Sequence, residues 1–375
     1  MAADQLSVDI VVPSMRPHSI DFTSLINIKT PEGVLIHYIF VIDKPGFNAS
    51  VDFPLLHECP EKVTVVVNQQ NIGAAASRNA GLDLSKGDYV LFLDDDVIPD
   101  ENLLIWYVRA IDKHPEDWGF VGVTKFPQPM NTFTAGVLES DILTFFGISL
   151  TRERLSWGTT SNIMLKRSVL KEIRFSVEFP KGGGGEDIDF CLRAMGTVST
   201  LMVAVPEAEV THHWWNYGKR SYRRFFRWAF GDSILPSIHK EFRYLNFPNL
   251  VETWFVMVPL LAMLAIAGLC SNQDVALFFV LSFSADSIFE IARVKILKPR
   301  SSLISAFESA LVRLSNDAGR FAGNIVRGRL LFIGERFDYF TTGESKKFER
   351  KMAAVKFTLL SAMAIVSIFL TSVVL

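Results

Sequence analysis

The sequence predicts an α/β head with a mostly parallel sheet, followed by an α-helical membrane region. Three observations predict it. Four short apolar runs recur between Val8 and Leu93, a helical stretch separates two of them, and long, nearly uncharged stretches occur only after Val251, the first 245 residues carrying charges throughout. A chain of 375 residues has room for about two units. Its hydrophobic fraction of 49% is high for a chain wholly in water, and the excess sits in the tail. The expected boundaries are 1–245 for the head and 246–375 for the membrane region.

The strands are read in chain order. Val8 to Val12 is a short apolar run ending at Pro13, as expected of a buried parallel strand. Val34 to Ile42 ends at Asp43, Val63 to Val67 at Asn68, and Tyr89 to Leu93 at the aspartates. Ala74 to Leu82 reads as the helix between the third and fourth strands. Alternating strands and connections give a doubly wound sheet. In open α/β sheets ligands bind outside the carboxyl ends of the strands, so Asp43, Asn68 and Asp94 are candidates for one common site.

The tail is read as spans near 253–272, 275–294 and 357–375, with amphipathic helices over 303–333 lying on a membrane or against the head. The second span is interrupted by Asp286, Glu290 and Arg293. Lys295, Lys298 and Arg300 follow it, and Lys346, Lys347, Arg350, Lys351 and Lys356 precede the last, which places both groups on the cytosolic side. Met1 to Val12 has no basic start before an apolar core, so no secretory signal is expected and the head is expected to be cytosolic.

Composition excludes some classes. The net charge of −2 favours neither nucleic acid nor an acidic surface. Cys59, Cys191 and Cys270 are far apart and lack metal-ligand spacing, which argues against a zinc knuckle or a disulfide framework.

Asp94-Asp95-Asp96 is the chemically informative run. Three adjacent carboxylates at the end of a buried strand repel one another, and a hard divalent cation relieves that cost. Mg²⁺ or Mn²⁺ would keep positions open for diphosphate oxygens. A solvated turn with capping aspartates is the plainer alternative. Lys181-Gly182-Gly183-Gly184-Gly185 precedes Glu186-Asp187 and reads as a flexible loop able to close over a substrate.

Taken in order, these segments resemble glycosyltransferase family 2 over residues 7 to about 230. The family's DxD motif falls on Asp94 and Asp96, with Asp95 between them. Val11-Val12-Pro13-Ser14 resembles its first strand, and Asn71-Ile72-Gly73 through Arg78-Asn79-Ala80-Gly81 its Asn-x-Gly…Arg-Asn segment. Gly185-Glu186-Asp187 resembles its Gly-Glu-Asp motif, with Asp189 and Arg193 following. The usual Asp-Asp-Gly-Ser after the second strand appears as Asp43-Lys44-Pro45-Gly46.

The resemblance implies a GT-A fold and a membrane-anchored, inverting glycosyltransferase using a nucleotide sugar, with a UDP-sugar favoured. It implies donor contacts from Pro13, Asp43, Asn71, Gly73, Arg78, Asp94 and Asp95. Asp94, Asp96 and His212 would hold Mn²⁺ or Mg²⁺, with His213 as the second choice because neighbours on a strand face opposite ways. Asp187 would be the base, with Glu186 orienting the acceptor or the loop. Trp215, Arg224, Arg227 and Trp228 would contact acceptor or diphosphate, since Arg224-Phe225-Phe226-Arg227-Trp228 resembles the Gln-x-x-Arg-Trp motif of processive synthases with Arg in place of Gln. The expected acceptor is a glycan or lipid-linked hydroxyl, with membrane lipids as further partners. A processive polysaccharide synthase, a polyprenyl-phosphate sugar transferase and a catalytically silent scaffold stay open.

Overall fold

The computed structural model describes residues 5–53, 59–340 and 344–374. The chain divides into two compact units, Met1–Gln128 with Leu143–Tyr217, and Pro129–Ile142 with Gly218–Leu375. The sequence places the change near 245. The segments just after Tyr217 find their packing and strand partners later in the chain.

The first unit is built on one sheet. Its elements are β1 (Leu6–Ser14), β2 (Val34–Ile42), β3 (Val63–Val67), α1 (Ala74–Leu84), β4 (Tyr89–Leu93), β5 (Val97–Pro99), α2 (Leu103–Lys113) and β6 (Gly119–Lys125). Then, after α3 (Thr132–Glu139), which belongs to the second unit, come β7 (Arg154–Leu155), β8 (Asn162–Lys166), α4 (Glu186–Val198) and β9 (Met202–His212). The strand order is β3-β2-β1-β4-β8-β6-β9-β5, with β7 on β9. The half formed by β3, β2, β1 and β4 is parallel, whereas β8 runs antiparallel to both β4 and β6. This is a mixed, mostly parallel sheet of the GT-A-like kind.

Burial explains the apolar runs. Every residue of β4 is buried, so it reads as a continuous run rather than an alternation. Pro13 is tolerated inside β1 because the β1–β4 pairing ends at Val11 and Phe92, before a missing N–H would matter there. Gly81 lets α1 lie against Val11, where a Cβ would overlap the valine side chain. α2 turns Leu103, Leu104, Tyr107 and Ile111 inward at helical spacing.

One buried polar group sets the far half of the sheet. The β6–β9 pairing shifts register between Val121 and Val123, which leaves carbonyls off the ladder. Asn162 of β8 donates to Val123 O at 3.1 Å and Ala208 O at 2.8 Å, and accepts from Tyr107 OH at 2.8 Å. The side chain thus meets the backbone groups that the bulge leaves over. β9 continues from there to its C-terminal residue, His212.

The second unit comprises α3, α5 (Arg223–Asp232), β10 (Arg243–Leu245), α6 (Leu250–Ile266), α7 (Asn272–Leu297), α8 (Leu303–Val326), β11 (Glu335–Phe337) and α9 (Glu344–Val374). The amphipathic stretch is the single helix α8. It packs between α3 and α5 through small residues: a Cβ on Gly136 would meet Glu308 and Ser305, and one on Gly319 would overlap the Phe226 carbonyl. Small residues at these crossings let the backbones approach closely.

The expected first span, 253–272, is shorter here. α6 has 17 residues, and Gly268 at φ +71° ends the turn that follows it. Ser271 and Asp274 then cap α7 reciprocally. Among the described residues α7 is the single helix long and apolar enough to cross a membrane, judged by length and composition alone. Its charges are paired within the unit. Glu290 faces Arg293, Arg313 and Lys356 at 2.8, 3.1 and 3.2 Å. The expected last span, 357–375, falls in α9, and most of its side chains from residue 364 on, with Leu375, lie outside the described residues.

Candidate active site

The carboxyl ends of β1, β2 and β4 carry the polar residues singled out from the sequence. Asp43, just beyond β2, is buried, and its carboxylate is a loop organiser. Oδ1 accepts from Ile72 N at 2.8 Å and Asn68 Nδ2 at 2.9 Å, and Oδ2 from Gly73 N at 2.8 Å. Three donors on one carboxylate fix the turn that leads into α1. Gly73 sits at φ +88° with Lys181 against it, so neither the backbone nor the space there admits another side chain. Asn71 reaches Asp43 O at 3.4 Å and Met15 Sδ at 3.2 Å, and Lys181 Nζ donates to Asn71 O at 2.8 Å. Lys181 therefore joins the glycine-rich loop to the segment before α1.

The three aspartates have different partners. Asp94 accepts from Arg78 Nη2 at 2.9 Å, and Arg78 Nη1 donates to Glu186 Oε1 at 3.2 Å. The Arg78 and Glu186 side chains are 6% and 7% exposed, so this pair is held away from water. Burial disfavours the Arg78 charge, but Asp94 and Glu186 outweigh it and raise its pKa above the usual arginine value. Among the described residues its Nε is buried without a partner.

Asp95 accepts from Ser14 Oγ at 2.7 Å and from Arg16 Nη2 at 2.8 Å, and Asp96 accepts from the same Arg16 nitrogen at 2.8 Å. Burial pushes the Asp95 carboxyl up, against the pull of Arg16.

Strand register brings His212 to this run. In the antiparallel β5–β9 pair Val97 lies opposite His212, which sets His212 Nε2 3.0 Å from Asp96 Oδ1. His212 is buried, whereas His213 is exposed, as the alternation of a strand requires. His212 Nδ1 lies 2.5 Å from the His213 carbonyl, which can only accept, and the Trp215 indole, which can only donate, reaches Nε2 at 3.0 Å. His212 Nε2 thus faces both an indole N–H, Trp215 Nε1 at 3.0 Å, and a carboxylate oxygen, Asp96 Oδ1 at 3.0 Å.

A carboxylate oxygen and an imidazole nitrogen at that distance can share a cation, and a ring whose Nδ1 is held by a backbone carbonyl is the usual arrangement of a ligating histidine. Asp96 and His212 thus fit a divalent ion. Asp94, the third expected ligand, is turned to Arg78, and among the described residues no three His, Cys, Asp or Glu side chains form a ready-made cluster.

The glycine-rich loop leads directly into α4. Gly183, Gly184 and Gly185 have φ of +86°, +124° and +90°, a path open to glycine alone. Glu186 Oε2 accepts from Gly184 N at 2.7 Å, so Glu186 ties this loop to Arg78 and hence to Asp94. Asp187, the next residue, is half-buried in the first turn of α4, where the helix dipole favours an ionised carboxylate. Asp189 is buried and paired with Arg193 at 2.7 Å, which leaves Asp187 as the more accessible acid of that turn.

The remaining expected residues are placed as follows. Pro13 is buried within β1. Trp215 packs on His212 and Phe126, with ring centroids at 4.9 and 5.1 Å. Arg224, Arg227 and Trp228 lie on α5 of the second unit, where Arg224 stacks over the Trp228 ring at 5.7 Å.

The sequence reading missed Arg16, Lys181 and Phe126. Arg16 carried a usable signal, a cation just past the first strand where the second and fourth strands end at aspartates. Phe126, stacked on His212 at 5.3 Å, carried none.

Residues 54–174 match the model of the family described as Glycosyl transferase family 2. The chain is 29% identical over 143 residues to the amylovoran biosynthesis glycosyltransferase AmsB of Erwinia amylovora, covering 36% of this chain and 44% of that protein. It spans less than half the length of the curated relatives it matches. Among solved structures it resembles GalNAc-T7 with UDP, GalNAc and Mn²⁺ at 16% identity and TM-score 0.44, over 57% of this chain and 44% of that one. It also resembles residues 1–349 of S. aureus TarS in complex with UDP, at 14% identity and TM-score 0.43, over 86% and 92%. Across residues 54–174, then, the chain is similar in sequence to glycosyl transferase family 2, within a sheet of GT-A-like order.

Proposed function

We propose that the chain is an inverting glycosyltransferase that moves a sugar from a nucleotide-diphosphate sugar, with a UDP-sugar favoured, to a hydroxyl of a glycan or lipid-linked acceptor. One observation carries the reading. At the carboxyl end of the sheet, the Asp96–His212 pair lies on the same acidic run as Asp94, and the Asp94–Arg78–Glu186 chain leads from that run to the helix turn that bears Asp187. A site for an anionic leaving group and an accessible base are thereby linked through side chains from four segments of one unit.

The roles follow from chemistry. Asp43 fixes the turn bearing Asn71 and Gly73, which receive the donor. Asp96 and His212 would hold a divalent cation, whose positive charge would be supplied to the leaving diphosphate. Arg78, buried with an unfilled Nε–H, holds Asp94 and adds positive charge. Asp187 takes the proton of the acceptor hydroxyl as its oxygen bonds to the anomeric carbon and the bond to the diphosphate breaks on the opposite face. Glu186 sets the loop, and Trp215 packs against the His212 ring. The amylovoran biosynthesis named for the Erwinia relative supports a polysaccharide as acceptor.

The second unit is read as the membrane attachment, with the head on the cytosolic side. The apolar exposure of Phe255, Val256, Val258, Leu260, Met263 and Ile266 along α6 supports this, because water-facing helices rarely present so continuous an apolar face. The span α7 supports it too. Arg224, Arg227 and Trp228 are read as contacts for acceptor or diphosphate.

A thermal-shift screen tests the donor site. UDP with Mn²⁺ should raise the melting temperature of the full chain in detergent, by about 2.7 kcal/mol of added stability at a hundredfold excess over Kd. A chelator should remove the shift. No shift with any nucleoside diphosphate in the presence of Mn²⁺ would refute the reading.

A further inference from the structure

Arg16 has no part in the scheme above, yet it occupies a telling position. A single guanidinium nitrogen, Nη2, lies 2.8 Å from Asp95 Oδ1 and 2.8 Å from Asp96 Oδ2. One positive centre shared by two carboxylates of the acidic run is what a bound cation would provide there. We infer that Arg16 is the internal counter-ion of the acidic run before a divalent ion is taken up. It then exchanges Asp96 for the phosphate oxygens of the donor. The inference rests on the reading of Asp96 and His212 as the cation site.

The geometry divides Arg16 into a fixed and a movable part. Its backbone N–H donates to Ser14 Oγ at 3.0 Å, and the same hydroxyl donates to Asp95 Oδ2 at 2.7 Å. Ser14 thereby anchors both the Arg16 backbone and Asp95 at the end of β1. The Arg16 side chain is 52% exposed, against 6% for Arg78. Ion pairs near solvent give way readily, whereas a buried pair does not. Arg78 is therefore the permanent cation of the site and Arg16 the exchangeable one.

Charge balance gives the direction of the exchange. Asp94, Asp95 and Asp96 carry three negative charges, met by Arg78 and Arg16. A donor diphosphate entering with a divalent cation adds no net charge, so the surplus that Arg16 balances persists. What changes is that Asp96 must turn to the new cation, while phosphate oxygens arrive as acceptors for a guanidinium, a pairing that Arg favours by shape and charge.

The test uses the full chain in detergent and titrates Mn²⁺ alone by calorimetry, comparing wild type with Arg16→Gln and Arg16→Lys. Removing an internal competitor that is paired most of the time should tighten Mn²⁺ binding by Arg16→Gln about tenfold, and Arg16→Lys should stay near wild type. With Mn²⁺ saturating, Arg16→Gln should bind UDP about tenfold more weakly than wild type and uridine equally well, because only the diphosphate needs the guanidinium. Melting curves with Mn²⁺ confirm that both variants are folded. Mn²⁺ affinity unchanged in Arg16→Gln overturns the inference while leaving the cation site intact. Tightened Mn²⁺ binding with unchanged UDP affinity overturns the exchange. No Mn²⁺ binding by wild type or variant overturns the inference together with the cation site on which it rests.

Discussion

Asp187→Asn is expected to lower sugar transfer by about 10²- to 10⁴-fold while leaving the fold and nucleoside-diphosphate affinity in place. The amide keeps the size of the side chain in the first turn of α4 and can still accept a hydrogen bond from Ile188 N, as Asp187 does at 2.9 Å. It cannot take a proton. Asp187 is half-buried, whereas its acidic neighbours Glu186 and Asp189 are buried. Glu186 is committed to Arg78 and Gly184, and Asp189 to Arg193, so neither is placed to substitute. The measurement is a single-turnover rate with an identified donor and acceptor. A rate within a few-fold of wild type would remove Asp187 from the chemistry and favour a phosphate acceptor, such as a polyprenyl phosphate, which needs no strong base.

Arg78→Ala is the second large effect, and it acts through stability first. The substitution leaves the buried Glu186 carboxylate and Asp94 without their cation. Breaking a buried pair from one side costs about 3–5 kcal/mol. In a unit of this size that is a fall in melting temperature on the order of 10 °C. Transfer should be lost with it, because the same guanidinium links the acidic run to the loop before Asp187. Arg78→Lys should recover part of the stability, since a single ammonium can meet one carboxylate but not both in the present geometry. A melting temperature unchanged in Arg78→Ala would contradict the structural role given to this chain of contacts.

The parallel half of the sheet was plain in the sequence. Val34–Ile42, Val63–Val67 and Tyr89–Leu93 form the strands expected of them, because the strands of a layered α/β sheet leave apolar runs that end at polar turns, most completely in the fully buried Tyr89–Leu93. The far half was not. β5 has three residues, β7 two, and β9 alternates buried and half-buried positions around a proline. Their pairing depends on contacts between residues distant in sequence, such as Asn162 at the β6 bulge, which no local pattern records.

The candidate site divides in the same way. Asp94, Asp95 and Asp96 stand out as a run of like charges, and Asp187 stands behind a run of glycines. Their partners do not stand out. Arg16 meets the aspartates across 79 residues, and Arg78 meets Glu186 across 108. Each is an isolated arginine until the sheet is assembled. In the second unit, the charges of α7 weaken its appearance as a span, and the structure shows why they are there: Glu290 gathers cations from its own helix, from α8 and from α9.

The central claim is metal-dependent transfer from a nucleotide-diphosphate sugar. Release of nucleoside diphosphate tests it most directly, measured with the full chain in detergent over a panel of nucleotide sugars and candidate polysaccharide acceptors. The account predicts release from at least one donor with Mn²⁺ or Mg²⁺ present, its loss on chelation, and its restoration when the ion is returned. Release that survives chelation unchanged, or no release from any donor by a protein shown to bind one, would contradict it.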